Sequence, residues 1–252
     1  MTILKYKIIG EGKKKIVFLH ELMGDHKNYD FCLPFLDKKN FTYIFVDLRG
    51  YGLSKDIKGE YSCDEAANDI KNLVEKLNFQ EYFLVGHSMS TMIVQKIALI
   101  DKRVKKLLLI TPISAAGIKM KEDAKNKLIQ QMEENNGKIE QIVESSSKRY
   151  NKTWKNYRID LAYNCSTLEA RIGYMKMYLN TDFLKEAYEN INIPIEIIVG
   201  AHDFPVFSIN QIKKSFFKYK DIKIIESKEA GHYPMIETPV LFASILENFA
   251  KE

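Results

Sequence analysis

The chain has 252 residues, of which 46% are hydrophobic, 12% aromatic and 28% charged, with 12 glycines and 6 prolines. These proportions are typical of a globular protein and exclude a disordered chain, a collagen-like repeat and a disulfide scaffold. The net charge of +5 is mild and the basic residues are spread along the chain, so we expect no nucleic-acid partner. At this length one domain, with or without an insertion, is expected.

Three cysteines, Cys32, Cys63 and Cys165, are far apart and odd in number, and no CxxC spacing occurs. We therefore expect reduced thiols in a reducing compartment. The N-terminal residues lack the apolar run of a signal peptide, and no stretch approaches the roughly 18 apolar residues of a membrane span. The sequence predicts a cytoplasmic protein without membrane insertion.

Short apolar runs alternate with helical patterns along most of the chain. Continuous apolar runs suit strands that are buried on both faces of a parallel sheet. The predicted strands are 16–19, 43–46, 82–85, 107–110, 195–199 and 222–225. Helices are predicted after the cap residue Ser62, at 92–100, and after the cap residue Thr238. The alternation predicts an α/β fold with a doubly wound, mostly parallel sheet.

Residues 118–190 break this alternation, because they carry helical patterns and no convincing strand. Apolar residues recur every fourth position from Met120 to Met132, and a helix stop is predicted at 135–137. Ser166 stands three residues before Glu169, a spacing that predicts the start of another helix. Most Met and aromatic positions here are expected to pack a helical insert, and a minority to line a pocket.

These patterns predict an α/β core in two parts, 1–117 and 191–252, with an all-helical insertion at 118–190. No internal repeat and no low-complexity linker divides the chain further. One structural domain that carries a helical cap is therefore expected.

The strongest functional motif is Gly-His-Ser-Met-Ser at 86–90, between a predicted strand and a buried helix. Ser88 is expected on a sharp strand-to-helix turn that pushes its hydroxyl out over the end of the sheet. Such a turn needs small flanking residues, which Gly86 and Ser90 provide. The backbone N–H of Met89, at the start of a helix, can face a developing oxyanion.

His232 is the best candidate for the base that a serine nucleophile needs. It follows the predicted strand at 222–225, where the chain returns to the same edge of the sheet. The base needs an orienting carboxylate, and Asp203 follows the predicted strand at 195–199. Ser88, Asp203 and His232 would thus lie at the carboxyl ends of parallel strands, where active sites gather.

A second oxyanion donor is expected from the loop after the first predicted strand, which continues into His-Glu-Leu-Met-Gly at 20–24. The backbone N–H of Leu22 is the candidate. Removing one oxyanion donor typically costs about 10²–10³ in turnover, so this loop is expected to affect the rate.

With these motifs in place, the chain resembles the α/β-hydrolase fold superfamily over essentially its whole length. The motifs that carry the resemblance are HELMG at 20–24, DLRGYGLS at 47–54, GHSMS at 86–90, GAHD at 200–203 and GHYPMIETP at 231–239. The resemblance implies that the insertion at 118–190 is a cap over the active site. It also implies no metal and no organic cofactor.

Two residues depart from the pattern of that superfamily. Glu21 stands where members usually have glycine; its carboxylate either disfavours an anionic substrate or, as we favour, points to solvent or accepts backbone hydrogen bonds. Ser90 replaces the second glycine of the elbow. Some members that resemble this chain at Ser90 are small-molecule receptors with slow hydrolysis, so a complete triad does not by itself define an efficient enzyme.

The sequence predicts a carboxylesterase-like serine hydrolase that cleaves a small carboxylic ester, or a thioester or lactone. The open alternatives are a C–C bond hydrolase or cofactor-free perhydrolase on the same triad, a slow receptor or signalling protein, and a scaffold without turnover. The expected partner is a small-molecule ester, and the chain is expected as a monomer or homodimer. The candidate pocket residues are Glu21, His87, Trp154 and Tyr233, although His87 and Trp154 also fit packing roles.

Overall fold

A computed structural model of the chain describes residues 2–134, 138–147 and 149–251. Its centre is a seven-stranded sheet with the strand order β1-β3-β2-β4-β5-β6-β7. The strands are β1 (Tyr6–Ile9), β2 (Lys14–Leu19), β3 (Phe41–Val46), β4 (Tyr82–His87), β5 (Val104–Ile110), β6 (Ile195–Gly200) and β7 (Ile222–Ser227). The predicted doubly wound, mostly parallel sheet is confirmed.

The six strands predicted from continuous apolar runs all form, and they pair in parallel. Strand β1 was not predicted, because its four residues interrupt an apolar run with Lys7 and it lies at the edge of the sheet. It pairs antiparallel with β3, with Tyr6 opposite Val46. An edge position leaves one side of a strand without a partner, so the sequence need not be apolar throughout.

Helices cover both faces of the sheet. The helices are α1 (Cys63–Lys76), α2 (Ser90–Ile100), α3 (Glu122–Glu133), α4 (Lys138–Ser147), α5 (Lys152–Asn164), α6 (Leu168–Asn180), α7 (Leu184–Asn190), α8 (Ile209–Phe216), α9 (Pro234–Glu237) and α10 (Pro239–Lys251). Short 3₁₀ helices span His26–Phe35, Gly52–Ser54 and Pro205–Phe207. None of the described helices is long and apolar enough to span a membrane.

Alternate residues of the strands point to two separate cores. One core lies between the sheet and α1, α2 and the insertion, and it receives Val17 and Leu19 from β2. The other lies under the first 3₁₀ helix and α10, and it receives Ile16 and Phe18. Period-two alternation within a continuously apolar run thus fills both layers at once.

The predicted starts of the helices are confirmed in part. Ser62 accepts a hydrogen bond from the N–H of Glu65 at 3.1 Å and caps α1, as predicted. The prediction for Ser166 was wrong by one residue, because the Thr167 hydroxyl accepts the Ala170 N–H and caps α6. Thr238 directly precedes Pro239, the first residue of α10, as predicted; its carbonyl accepts the Phe242 N–H at 2.9 Å, and its hydroxyl donates to the Pro234 carbonyl at 3.1 Å. Neighbouring hydroxyls compete for the same N–H groups, which spacing alone does not resolve.

Five helices, α3 to α7, lie between β5 and β6, and the described residues of this segment contain no strand. Two hydrogen bonds join the start of the segment to the region where α6 ends and α7 begins: Ile118 N–H donates to the Tyr178 carbonyl, and Phe183 N–H donates to the Ala115 carbonyl, each at 2.9 Å. We call α3 to α7 the cap. The predicted apolar stripe was wrong at Met120, which precedes α3 and is exposed. The predicted stop at 135–137 lies outside the described residues.

Candidate active site

Ser88 lies in a tight turn between β4 and α2, where its backbone φ is +53°. This left-handed conformation is unusual for a residue with a side chain and marks a sharp, strained turn. A Cβ atom at Gly86 would come within 2.9 Å of the Ser90 carbonyl, so glycine is needed there. The Ser88 N–H donates to the Ile110 carbonyl on β5 at 2.9 Å, which fixes the turn above the strand ends.

His232 and Asp203 form a paired base and acid. The loop after β7 carries His232 and the loop after β6 carries Asp203, and the His232 Nδ1–H donates to the carboxylate at 2.9 and 3.0 Å. Burial lowers the pKa of His232, but the charge and hydrogen bond of Asp203 outweigh it, and the pKa lies above its usual value. This bond leaves Nε2 as the free nitrogen of the neutral ring.

The backbone around His232 is held from two sides. His87, which is fully buried, donates from Nε2 to the His232 carbonyl at 2.7 Å. The carboxylate of Glu237 accepts the N–H groups on either side of His232, from Gly231 at 2.7 Å and from Tyr233 at 2.9 Å. These bonds fix the loop, so the ring position is set by more than its contact with Asp203.

Neither the Leu22 N–H nor the Met89 N–H has a hydrogen-bond acceptor among the described residues. The Glu21 carbonyl, which belongs to the same peptide unit as the Leu22 N–H, accepts from His20 Nδ1 at 2.8 Å. His20 Nε2 in turn accepts the Leu48 N–H at 3.1 Å, which sets the tautomer. Because the peptide unit is trans, the Leu22 N–H points away from His20.

The next peptide unit of this loop is held at both ends. Tyr51 donates its hydroxyl hydrogen to the Leu22 carbonyl at 2.9 Å. The Met23 N–H donates to the carboxylate of Glu21, which is only 3% exposed. The favoured alternative for Glu21 was a carboxylate that points to solvent or accepts backbone hydrogen bonds, and the structure places it on a backbone N–H. Glu21, which departs from the sequence pattern of the superfamily, therefore holds this loop in place.

Ser90, the second departure, connects the elbow to the same loop. Its buried hydroxyl donates to the carbonyl of His20 at the end of β2. A glycine would lack this bond, because it has no side chain. This bond therefore joins the start of α2 to the loop after β2. These two segments carry the two candidate oxyanion donors, the N–H groups of Met89 and Leu22.

Sequence reasoning missed Arg158, a fully buried residue of α5. Its guanidinium donates to Glu21 Oε1 at 3.2 Å and to Asn28 Oδ1 at 2.9 Å. It also lies over the ring of Tyr233, with Cζ 3.9 Å from the ring centroid. The only available indication was the unusual Glu21, since a carboxylate buried in such a loop needs a cation.

A cavity of about 260 Å³ brings these groups together. Ser88, His232, Leu22 and Met89 all line it. The other lining residues are Glu21, Met23, Ile113, Ile118, Ile142, Tyr178, Phe204, Val206, Phe207 and Tyr233.

Two of the four candidate pocket residues, Glu21 and Tyr233, therefore line this cavity, and His87 and Trp154 do not. His87 lies beneath His232, with ring centroids 5.1 Å apart. Trp154 packs on the aromatic rings of Tyr150 and Tyr157 in the cap. Among the described residues, no group of three or more His, Cys, Asp or Glu side chains is placed to hold a metal ion.

Comparison with known proteins gives the family. The model of the alpha/beta hydrolase fold family matches residues 14–239, which is most of the chain. The protein belongs to the α/β-hydrolase fold family.

Two curated relatives match over shorter segments. The AB hydrolase superfamily protein YisY of Bacillus subtilis is 38% identical over 81 residues, which are 32% of this chain and 30% of that protein. The serine hydrolase BPHL of Mus musculus is 36% identical over 90 residues, 34% of this chain and 31% of that protein. The matched segments thus span about a third of the length of these relatives.

Solved structures share the fold over nearly the whole chain. An esterase from Exiguobacterium antarcticum has a TM-score of 0.87 at 21% identity and covers 99% of this chain and 96% of its own. A bromoperoxidase from Bacillus anthracis has a TM-score of 0.86 at 20% identity, covering 98% and 95%. An enol-lactonase from Burkholderia xenovorans has a TM-score of 0.81 at 19% identity, covering 99% and 96%. At these identities the likeness shows the fold alone.

Proposed function

We propose that the protein is a carboxylesterase-like serine hydrolase, which cleaves a small carboxylic ester, or a thioester or lactone, through an acyl-enzyme. One observation carries the proposal: a serine on a left-handed elbow shares a cavity with a carboxylate-paired histidine and two backbone N–H groups that have no acceptor among the described residues. These are the parts that acyl transfer requires.

In the proposed reaction, His232 Nε2 removes the proton of Ser88 as Oγ attacks the carbonyl carbon. Asp203 keeps the proton on Nδ1 and stabilises the imidazolium that forms. The N–H groups of Leu22 and Met89 stabilise the negative charge on the tetrahedral intermediate. The intermediate collapses as the protonated Nε2 gives its proton to the leaving alkoxide.

The acyl-enzyme is then hydrolysed by the same groups in reverse. His232 takes a proton from water, and the hydroxide attacks the acyl carbon. The second tetrahedral intermediate expels Ser88 Oγ, which regains its proton from His232. The products are a carboxylic acid and an alcohol, and no cofactor is required.

The cavity favours a short, neutral, apolar group beside the scissile bond. Its volume of about 260 Å³ is at the small end for ligand pockets. Its one carboxylate, Glu21, is compensated by Arg158, so the cavity offers no free charge to an ionic substrate. The match to a serine hydrolase and the fold shared with an esterase and an enol-lactonase support ester or lactone cleavage.

The test is hydrolysis of p-nitrophenyl esters from acetate to dodecanoate by the purified protein, with Ser88→Ala as the paired control. Both proteins are also treated with a fluorescent fluorophosphonate, which labels an activated serine. We expect the wild type to turn over and label, with the highest kcat/KM on short acyl chains, and Ser88→Ala to do neither. A wild type that neither labels nor turns over any ester would contradict the proposal.

A second candidate is a cofactor-free perhydrolase on the same triad, which the fold likeness to a bromoperoxidase favours. In this reaction hydrogen peroxide replaces water as the nucleophile that attacks the acyl-enzyme, and the product is a peracid. Incubation with a short carboxylic acid and peroxide, followed by peracid-dependent halogenation of a dye, tests it. Peracid formation faster than ester hydrolysis would favour this candidate over the first.

A further inference from the structure

Arg158 is a charged residue of the cap that is completely buried in the core of the protein. It lies on α5, yet its contacts are with residues near the start of the chain. The guanidinium donates to Glu21 Oε1 at 3.2 Å, to Asn28 Oδ1 at 2.9 Å and to the Met23 carbonyl at 3.4 Å. Asn28 completes the network by donating from Nδ2 to the same Glu21 oxygen at 3.1 Å.

A buried guanidinium is costly unless it is paired with an opposite charge and hydrogen-bonded. Arg158 makes these contacts through Nη1 and Nη2, whereas its Nε has no hydrogen-bond partner among the described residues. The planar guanidinium of an arginine spreads five N–H donors in a fixed fork, so it can bind acceptors that lie apart, whereas the three donors of a lysine diverge from one nitrogen. Two of these acceptors, Glu21 and the Met23 carbonyl, bracket Leu22 in sequence. The contacts of Arg158 therefore converge on the loop that presents the Leu22 N–H to the cavity.

The charge of Arg158 has a second effect on the same loop. Glu21 lines the cavity beside Leu22, where the proposed reaction develops negative charge. An uncompensated carboxylate there would repel the oxyanion, and in a low-dielectric site the repulsion is strong. Pairing with Arg158 removes this repulsion while Glu21 keeps its hydrogen bond to the Met23 N–H.

We propose that Arg158 is a positioning residue through which the cap sets the oxyanion loop: it neutralises Glu21 and holds Glu21 to Met23 so that the Leu22 N–H faces the reacting carbonyl. The proposal rests on the proposed hydrolase function. Arg158 acts through Glu21 and Met23 and is not among the residues that line the cavity. The cap then does more than cover the site, because it supplies part of the support for transition-state binding.

The test compares Arg158→Met with Arg171→Met. Arg171 is a matched control, a buried arginine of the cap that donates to Ser166 and to the Ala162 carbonyl and, among the described residues, to none of residues 20–24. Active sites are titrated with a fluorescent fluorophosphonate, so that kcat is expressed per labelled Ser88. The labelling rate constant is a second readout that needs no substrate turnover.

We expect Arg158→Met to lower kcat per titrated site and the labelling rate by about 10- to 100-fold, with KM changed by less than about threefold, because the lost interaction acts in the transition state. Arg171→Met is expected to lower Tm but to keep kcat per titrated site. If Arg158→Met keeps kcat within about threefold of wild type, or if both variants lose kcat equally, the positioning role is wrong.

Two further variants test the proposal even if Arg158→Met does not fold. The double variant Glu21→Gln/Arg158→Met removes the stranded carboxylate, so we expect it to fold, and we expect its labelling rate to stay about tenfold below that of the wild type because the loop has lost the guanidinium that holds it. Arg158→Lys keeps the charge but not the fork, and an intermediate labelling rate is expected. Wild-type rates in both would overturn the proposal, whereas a wild type that neither labels nor turns over would overturn the hydrolase function itself.

Discussion

His232, the proposed base, is held by bonds to its ring and to its backbone. Asp203 binds Nδ1, His87 binds the carbonyl, and Glu237 binds the N–H groups on either side. Only the neutral ring can take a proton from Ser88, so activity requires a pH above the pKa of His232. Because Asp203 and, more weakly, Glu21 and Glu237 raise that pKa, we expect the acid limb of kcat/KM to have its midpoint above pH 6.5.

Glu237→Gln tests this electrostatic effect. Removing a negative charge near His232 lowers the pKa of the ring, so the acid-limb midpoint is expected to move to lower pH, while kcat falls because one N–H loses its acceptor. The measurement is kcat/KM from pH 5 to 9. Glu229→Gln is the control in the same loop, since that exposed carboxylate is not among the charges that raise the pKa of His232. An unmoved midpoint in Glu237→Gln would contradict the assignment.

Asp203→Asn tests the orientation of the base. An amide at this position can donate to Nδ1 and stabilise the wrong tautomer, which leaves the proton on Nε2. We expect kcat to fall by about 10⁴-fold with little change in Tm. Asp203 was predicted from its place after β6, so a loss smaller than tenfold would mean that another carboxylate orients His232.

At the scale of the elements, the loops after β6 and β7 bring Asp203 to His232 by a close backbone approach. A Cβ atom at Gly200 would lie 1.9 Å from the Gly231 carbonyl oxygen, whereas one at Gly231 would meet nothing nearer than 3.4 Å. The two loops can therefore touch only because residue 200 has no side chain. This close contact brings the ends of β6 and β7 near enough for Asp203 and His232 to form their pair.

Gly200→Ala is expected to push these loops apart. We expect kcat to fall at least about tenfold, since small displacements of catalytic groups are costly. Overpacking typically costs about 1–3 kcal/mol, so Tm is expected to fall by about 2–10 °C. Gly231→Ala, on the other side of the same contact, is the matched variant, and its kcat and Tm are expected to fall much less. Equal effects of the two substitutions, measured by steady-state kinetics and thermal unfolding, would contradict this account.

Much of the fold could be predicted from local patterns, and the failures have physical causes. Central strands such as β4 are apolar throughout, because both faces are buried, and they were predicted. Helix α8 was not predicted, since it follows the short 3₁₀ helix Pro205–Phe207 and has few buried residues. The positions of Ser88, Asp203 and His232 could be predicted because each follows the end of a strand. The role of Arg158 could not, because its partner Glu21 is 137 residues away and no local pattern encodes that contact.

At the scale of the whole molecule, the three cysteines lie in different regions, so the reactivity of each thiol shows whether its own region has opened. Cys32 lies in the core under the first 3₁₀ helix, Cys63 at the start of α1, and Cys165 in the cap. All three are free and buried, and burial raises the pKa of each thiol to about 12. A buried neutral thiol is inert toward disulfide reagents, so modification requires the surrounding structure to open.

Thiol modification then measures whether the cap and the core unfold together. The cap is joined to the core by the Gly52 N–H bond to the Cys165 carbonyl at 2.7 Å and by the buried pair of Arg158 and Glu21. We therefore expect all three thiols to become reactive toward DTNB over one range of urea concentration, with none reactive in the native protein. Mass spectrometry of partly modified protein identifies the sites. Modification of Cys165 at lower urea than the other two would show that the cap opens alone.

The start of the cap is joined to the region where α6 ends and α7 begins, where Ile118 meets Tyr178 and Ala115 meets Phe183. Such an insertion can in principle be exchanged for another helical segment, by recombination or by engineering, without breaking the sheet. The pairing of Arg158 with Glu21 sets a condition on any exchange. A new cap without an arginine at this position would leave a buried carboxylate unpaired, so a grafted cap must either supply such a cation or be accompanied by replacement of Glu21.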